Sequence, residues 1–215
     1  MSLLNYKKSV AALVAVIFAS HVVYRYLIRK KKVKTKEINE VIVFSETSQL
    51  VPSKYSLLRS KVHPSADRIL FYLNQTHYTL DICMYMLTNR DISYLIQKLH
   101  YRGVKIRFIV DAETAYVNGS ETKRLDRLGA IELRWMKTNK NIMHHKFCVI
   151  DATASKGKKV IPFIMTGSLN WTMQALSGNW ESVVVMSEPK LVRQYKEEFE
   201  ELWKKFGANI FLYSF

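Results

Sequence analysis

A short run in the second half of the chain combines residue types that can act on a phosphate ester. His144, Lys146 and Asp151 occur in it with the spacing H-x-K-x4-D. Because the side chains of an extended segment alternate between two faces, His144 and Lys146 share one face and His145 points to the other. A neutral imidazole is a competent nucleophile and acid-base group, and an ammonium group can hold a phosphate oxygen. The pattern therefore predicts a nucleophile beside a cation.

A second polar group follows in the sequence Gly-Ser-Leu-Asn at 167–170, and Glu181 comes eleven residues after Asn170. Ser168 and Asn170 can donate hydrogen bonds to a phosphoryl group. A carboxylate at Glu181 can fix the imidazole tautomer from its other nitrogen. Taken alone, His144 is an ordinary strand histidine and 167–170 an ordinary turn, but their occurrence together with Glu181 favours one phosphate-handling active site.

The elements that must position these residues follow from hydrophobic spacing. Strand patterns alternate with helix patterns, which predicts an α/β layer with helices on both faces of a sheet. The predicted strands are 41–44, 79–87, 104–111, 131–136, 146–150, 160–166 and 182–186. The predicted helices are 63–75, 90–103, 120–129 and 188–206. Strands 146–150 and 160–166 form the hairpin that carries the motif.

The whole motif set resembles the HKD motif of the phospholipase D superfamily. It is most similar to the short single-motif branch that includes mitochondrial cardiolipin hydrolases and Zucchini endonucleases. The matching pieces are MHHKF (143–147), Asp151, TGSLNWT (166–172), NWE (179–181), LDICMYMLTN (80–89) and RGVKIRFIVD (102–111). The similarity extends over approximately residues 41–205. It implies an α/β fold with a phospholipase D-like mixed sheet flanked by helices on both faces.

The resemblance also implies a mechanism that needs two HKD histidines on one phosphate. Because the chain carries one motif and no internal repeat, we expect a symmetric homodimer with a shared site on its twofold axis. One His144 attacks phosphorus to give a phosphohistidine, while the partner's His144 protonates the leaving oxygen. Lys146, Ser168 and Asn170 neutralise the phosphoryl oxygens. No metal and no other cofactor is required.

Two departures from the family pattern affect the prediction. Fifteen residues, 152–166, separate Asp151 from the Gly-Ser pair, where the family usually has about six. Asp151 lies roughly 23 Å along the strand from the imidazole, at about 3.3 Å per residue, so we expect a lengthened hairpin far from the site and a structural role for Asp151. Second, Zucchini-like proteins often carry a zinc module after the first strand. The corresponding stretch, 44–63, has no Cys and one His and cannot make a four-ligand zinc site.

Other residues near the motif have two interpretations each. His145 is expected to be structural. Trp171 and Thr172 pack and cap a helix, or contact substrate. A candidate groove for single-stranded nucleic acid interleaves aromatic and basic residues just before the motif, at Trp135, Lys137 and Lys140. A solvated charged loop explains the same residues equally well.

The amino-terminal part predicts a membrane anchor. Residues 9–24 contain no formal charge and form about 24 Å of helix, short of a hydrocarbon core near 30 Å. Extension to Ile28 reaches the usual length if Arg25 snorkels. A cleaved secretory peptide is the rival interpretation, since Ala19 and Ser20 are small. The predicted organisation is a tail (1–8), a transmembrane signal anchor (9–28), a basic linker (29–40) and a catalytic domain (41–215).

The distribution of charge predicts on which side of the membrane the catalytic domain lies and which class of partner it binds. Seven cations from Arg25 to Lys36 exceed Lys7 and Lys8 on the other flank, which keeps the larger cluster in the cytosol. The family resemblance implies the mitochondrial outer membrane, and the endoplasmic reticulum stays open. The net charge of +15 divides into +7 for residues 1–40 and +8 for the rest, which favours polyanionic partners. Cys83 and Cys148 both lie in apolar runs and are expected to be core residues.

Three functions fit these observations. The first is a metal-independent endoribonuclease that cleaves single-stranded RNA, which in this family means piRNA precursors at the mitochondrial surface. The alternative is a phospholipase that hydrolyses cardiolipin to phosphatidic acid with the same chemistry. The third is a non-enzymatic tether for anionic phospholipid or RNA, which the intact HKD residues disfavour. The width of the groove distinguishes best between the ribonuclease and the phospholipase. A narrow cationic channel admits a single strand, whereas a lipase needs an apolar pocket for acyl chains.

Overall fold

A computed structural model describes residues 3–30, 37–46, 49–57, 59–135, 141–153 and 160–206. The chain divides into two units, residues 1–36 and residues 37–215. The helices are α1 (Leu3–Lys30), α2 (Pro64–Asn74), α3 (Arg90–Tyr101), α4 (Ala112–Ala115), α5 (Glu121–Arg127), α6 (Met173–Ser177) and α7 (Pro189–Lys205). The strands are β1 (Asn39–Phe44), β2 (Val51–Pro52), β3 (Lys61–Val62), β4 (Thr79–Met84), β5 (Lys105–Val110), β6 (Glu132–Trp135), β7 (Lys146–Ile150), β8 (Phe163–Gly167) and β9 (Glu181–Met186).

Within the described residues, the second unit is built on a seven-stranded mixed sheet in the order β1-β9-β8-β7-β4-β5-β6. Strands β4, β5 and β6 are parallel, and β7, β8, β9 and β1 continue the sheet with antiparallel pairing. The motif-bearing strand β7 is therefore central, with β4 on one side and β8 on the other. This confirms the predicted mixed sheet and the predicted hairpin of β7 with β8.

Side chains of the sheet alternate between two apolar layers, and helices cover both. Ile82 and Cys148 belong to the layer that α2 and α3 complete. Cys83 and Phe147 belong to the opposite layer, which α7 completes through Phe199 and other residues. Both cysteines are buried and free, as predicted, and they lie on opposite faces of the sheet. Helices on both faces are thus confirmed.

The α7 face also contains a charged network. Arg107 of β5 donates to Asp81 of β4 at 2.7 and 2.8 Å and to Glu200 of α7 at 2.8 and 3.2 Å. Its guanidinium stacks on the Phe199 and Trp203 rings, with 4.6 and 5.2 Å to the centroids. Since the Asp81 side chain is only 3% exposed, these bonds satisfy a carboxylate that would otherwise be costly to bury. The network fixes α7 against the centre of the sheet.

Every predicted strand and helix of the catalytic part has an observed counterpart, with ends that differ by up to three residues. Sequence reasoning missed the β2–β3 hairpin, α4 and α6. These elements have two to five residues each, which is too short for a hydrophobic period to show. Half of the lengthened connection between β7 and β8, residues 154–159, lies outside the described part of the chain.

The described part of the first unit is the helix α1, which exposes apolar side chains that include Leu13, Ile17 and Phe18. The predicted transmembrane span, 9–28, lies within it. No helix in the described part of the chain combines the length and the apolarity needed to cross a membrane. The structure does not show a membrane span at 9–28, and the anchor stays a prediction from the sequence. The charges of Lys8 and Arg25 limit the uncharged run to sixteen residues, whereas a span needs about 20.

Candidate active site

His144 lies just before β7, at the point where β4 ends. Met84 pairs with Lys146 in the antiparallel ladder, and the Tyr85 amide donates to the His145 carbonyl at 3.1 Å. This pairing brings the Tyr85 ring against the His144 imidazole, with centroids 4.8 Å apart and an edge-on angle of 65°. The imidazole is otherwise exposed. The imidazole is therefore accessible to a substrate from solvent, and the Tyr85 ring, which forms a wall on one side, holds its position.

Lys146 occupies the same side of the strand. Its Nζ lies 5.3 Å from the Tyr85 ring centroid and donates to the His144 carbonyl at 2.9 Å. Burial lowers the pKa of the Lys146 ammonium from its ordinary value, and the Glu181 carboxylate offsets part of this shift. The structure therefore brings an imidazole, an ammonium and a carboxylate to one end of β7.

Ser168 and Glu181 form the second part of the site, where β8 ends and β9 begins. The Ser168 hydroxyl donates to the Glu181 carboxylate and accepts from the Ser182 amide at 3.1 Å. Asn179 Nδ2 donates to the other carboxylate oxygen at 3.1 Å. No hydrogen bond joins Glu181 to His144 among the described residues of a single chain. Glu181 therefore holds Ser168 here, and the tautomer-fixing contact expected of it is not made within this chain.

Gly167 permits this arrangement. A Cβ built on Gly167 would lie 1.9 Å from the Ser182 carbonyl oxygen, far inside any real contact. The Ser168 amide donates to that same carbonyl at 3.0 Å. The glycine of the motif is thus required by the close approach of β8 to β9, which sets Ser168 beside Glu181.

The residues after Ser168 are tied to the chain that follows β4. Trp171 is 4% exposed, donates its amide to the Met86 carbonyl and accepts from the Asn89 amide. Thr172 caps α6 by accepting from the Ala175 amide at 3.1 Å. Packing and capping are therefore what Trp171 and Thr172 do in the structure. Asn170 is half-buried, and its Oδ1 has no hydrogen-bond partner among the described residues.

Asp151 lies at the opposite end of β7 from His144. Its carboxylate is buried and accepts from the amides of His77, Tyr78 and Thr79 at 2.7 to 3.2 Å. Its backbone is left-handed, with φ of 56°. Asp151 thus joins the end of β7 to the start of β4.

His145 and Trp135 make contacts with other parts of the chain. His145 Nε2 is 3.5 Å from Glu198 on α7, and its ring packs edge-on against Phe147. Trp135, at the end of the edge strand β6, is half-buried and packs edge-on against Tyr116 at 5.4 Å. Lys137 and Lys140 lie outside the described residues.

Tyr85 is the site residue that sequence reasoning missed, since its contact with His144 depends on the β4–β7 register.

Replacing Tyr85 by Ala removes the ring that holds the imidazole. We expect the rate of phosphodiester cleavage to fall about tenfold, because small misplacements of reacting groups are costly. Tyr85→Phe keeps the ring and should retain most of the rate. Steady-state kinetics of both variants, with melting temperatures as the folding control, test this. Equal loss in both variants would show that the hydroxyl, not the wall, matters.

Comparisons with known proteins identify the family of the chain. The sequence profile of the family described as cardiolipin synthase, PLD-like domain, matches residues 69–203. A mitochondrial cardiolipin hydrolase of Chlamydomonas reinhardtii is 39% identical over 142 residues, which cover 66% of this chain and 59% of that protein. One of Danio rerio is 31% identical over 188 residues, covering 83% of this chain and 78% of that protein.

Among solved structures, NucT from Helicobacter pylori superposes with a TM-score of 0.61 at 19% identity, covering 81% of this chain and 100% of that one. The shared fold is an α/β domain, a mixed sheet with helices on both faces, and in this chain His144 and Lys146 lie at the start of its central strand β7. The chain belongs to the phospholipase D-like family, a family of phosphodiesterases.

Proposed function

We propose that this protein is a metal-independent phosphodiesterase that cleaves single-stranded RNA internally through a phosphohistidine intermediate. One observation supports this chemistry: the exposed His144 imidazole lies with Lys146 at the start of β7. Lys146 is also within electrostatic reach of the Glu181 carboxylate that accepts from Ser168. A nucleophile, a cation and a hydroxyl donor on one surface are the groups that attack on a phosphodiester requires.

In the proposed first step, a His144 nitrogen bonds to phosphorus and the P–O bond to the leaving group breaks. The partner's His144 gives its proton to that oxygen. In the second step water attacks phosphorus, the P–N bond breaks, and the water proton passes to the partner's His144. Lys146, Asn170 and Ser168 donate to the phosphoryl oxygens. When Ser168 turns to the substrate, it releases Glu181, whose carboxylate is then free to accept from an imidazole N–H.

The proposal needs two chains for each active site, since each chain supplies one His144. Mixing wild-type protein with His144→Asn protein should therefore lower activity below the wild-type fraction, because mixed dimers lack one of the two histidines. Activity is measured after subunit exchange has been verified with two affinity tags. Strict proportionality to the wild-type fraction would indicate independent sites in single chains.

RNA is favoured as substrate by charge and by cavity size. Residues 41–215 carry a net charge of +8, which attracts a long polyanion. An apolar cavity between the β2–β3 hairpin, α2, α3 and α6 measures about 180 Å³, below the roughly 300–1,000 Å³ of typical ligand pockets. That cavity offers little room for acyl chains. In this proposal the enzyme acts in piRNA biogenesis.

Cardiolipin hydrolysis to phosphatidic acid is the second candidate. The observation in its favour is the name of the relatives, several of which are called mitochondrial cardiolipin hydrolase. The same two-step chemistry at His144 would serve either substrate, because both are phosphodiesters.

The two candidates are tested in parallel with the purified full-length protein. We expect cleavage of single-stranded RNA in excess EDTA, with little release of phosphatidic acid from cardiolipin vesicles under matched conditions. Robust lipid hydrolysis without RNA cleavage would replace the first candidate by the second. Loss of cleavage on chelation, with recovery on adding a divalent ion, would contradict the metal-independent mechanism.

We further propose a mitochondrial location, at the outer membrane with the catalytic part in the cytosol. The names of the relatives support the organelle, and the cations at 25–36 support the orientation. Protease treatment of intact mitochondria that carry a carboxyl-terminal tag on this protein should remove the tag. A tag protected until the outer membrane is ruptured would place the catalytic part inside.

A further inference from the structure

An exposed indole stands beside the candidate active site. Trp180 is 74% exposed and directly precedes Glu181, the first residue of β9. A single exposed aromatic residue is common on protein surfaces and by itself indicates nothing. Here, however, the indole forms part of the wall of a cavity next to the Ser168–Glu181 pair.

That cavity has a volume of about 340 Å³. This is within the range of pockets that take small organic groups. Its described lining includes Phe44, Ser45, Glu46, His63, Asn179 and Trp180. The lining comes from the end of β1, the start of α2 and the α6–β9 connection.

Two aromatic rings form a rigid wall of this cavity. The Phe44 and His63 rings stack with centroids 5.4 Å apart and an angle of 19°, and both residues are buried. His63 is held at both nitrogens: Nδ1 accepts from the Ser65 amide at 3.2 Å, and Nε2 lies 3.1 Å from the Ser45 carbonyl. A flat wall of this kind, with an indole at the rim, suits a planar aromatic ligand.

The polar groups of the cavity favour a base over a phosphate or a fatty chain. The Glu46 carboxylate repels a phosphate, but it can accept hydrogen bonds from the amino group of a base. Asn179 places an amide at the wall and bonds to Glu181 at 3.1 Å. Glu181 in turn accepts from Ser168. The wall of the cavity is therefore joined to the proposed phosphoryl site through the hydrogen bonds Asn179–Glu181 and Glu181–Ser168.

We propose that this cavity is a base subsite, in which Trp180 stacks on the nucleobase of a nucleotide that flanks the scissile phosphate. The inference rests on the proposed cleavage of single-stranded RNA and deepens it. Stacking on an aromatic side chain is tolerant of sequence, because every base has a π face. The cavity therefore holds the strand in place beside His144 and helps to set which phosphate is cut.

The test uses the full-length protein and an RNA with one mapped cleavage site. Trp180→Ala should lower kcat/KM about tenfold, the size expected for one stacked base, and Trp180→Phe should keep most of it. Tyr101→Ala, which removes an equally exposed ring (73%) on α3, is the matched control and should leave cleavage unchanged. Melting temperatures report on folding.

A base-deletion scan then assigns the effect to stacking. Abasic substitution at one flanking position should lower the wild-type kcat/KM about tenfold, and should cost Trp180→Ala nothing further. The subsite alone would be overturned if the wild-type protein cleaves RNA and Trp180→Ala is fully active. It would also be overturned if the losses from Trp180→Ala and from the abasic position multiply when the two changes are combined. A wild-type protein that cleaves cardiolipin vesicles but no RNA would overturn the proposed substrate, and the subsite with it.

Discussion

Replacing His144 by Asn is expected to lower turnover at least about 10³-fold, because the change removes the nucleophile and, in the dimer, the acid-base group as well. Folding should be unaffected. The side chain is exposed, and Tyr85 is the one aromatic ring that it packs against among the described residues. Single-turnover rates and thermal unfolding of the same preparation measure the two expectations together.

His145→Asn is the matched control for this variant. His145 is the adjacent residue, yet it contacts Phe147 and Glu198 on the α7 side of the sheet. We expect the His145→Asn protein to retain most of its activity. Near-normal cleavage by His144→Asn would show that His144 is not the nucleophile. Equal losses of activity in both variants would mean that both histidines take part in the reaction.

Asp151→Ala has the largest expected effect on stability. The change leaves the amides of His77, Tyr78 and Thr79 without their shared acceptor and puts Ala at a φ of 56°. Unpaired buried donors cost about 1–3 kcal/mol each, and a left-handed Ala costs about 1 kcal/mol more. Some donors will find water, so we expect a loss of about 4 kcal/mol in the free energy of unfolding.

Asp151→Asn separates structure from chemistry at this position. Asn keeps one acceptor oxygen and tolerates the left-handed backbone, so its loss should be about half as large. Urea unfolding of the full-length chain measures both variants. A folded Asp151→Asn protein should cleave substrate at nearly the wild-type rate. If it folds normally but is inactive, Asp151 takes part in the reaction.

The sheet and its helices were predictable because each long element has a clear hydrophobic period. The alternation in β4 and β7 also predicted which side chains share a face. By contrast, the β2–β3 hairpin depends on local bonds such as Ser60 N–H to Ser56 Oγ at 2.8 Å, which no periodicity encodes. Short elements of this kind escape sequence analysis for that reason.

Contacts between distant segments account for the rest of what was missed in the site. Tyr85 meets His144 only because Met84 pairs with Lys146. The motif also identified Glu181 as a site residue but not its hydrogen-bond donor. In the single chain the Ser168 hydroxyl is such a donor. Residue types and spacing thus indicate the chemistry, whereas strand register decides which groups touch.

The most direct test of the central claim, covalent catalysis by His144, is a search for the phosphoryl-enzyme. Excess full-length protein is mixed with labelled single-stranded RNA, quenched in alkali within milliseconds to seconds, digested and analysed by mass spectrometry. We predict an acid-labile RNA fragment on the peptide that contains His144, present in His145→Asn and absent in His144→Asn. An adduct on a different residue, or full cleavage with no adduct at any time, would contradict the account.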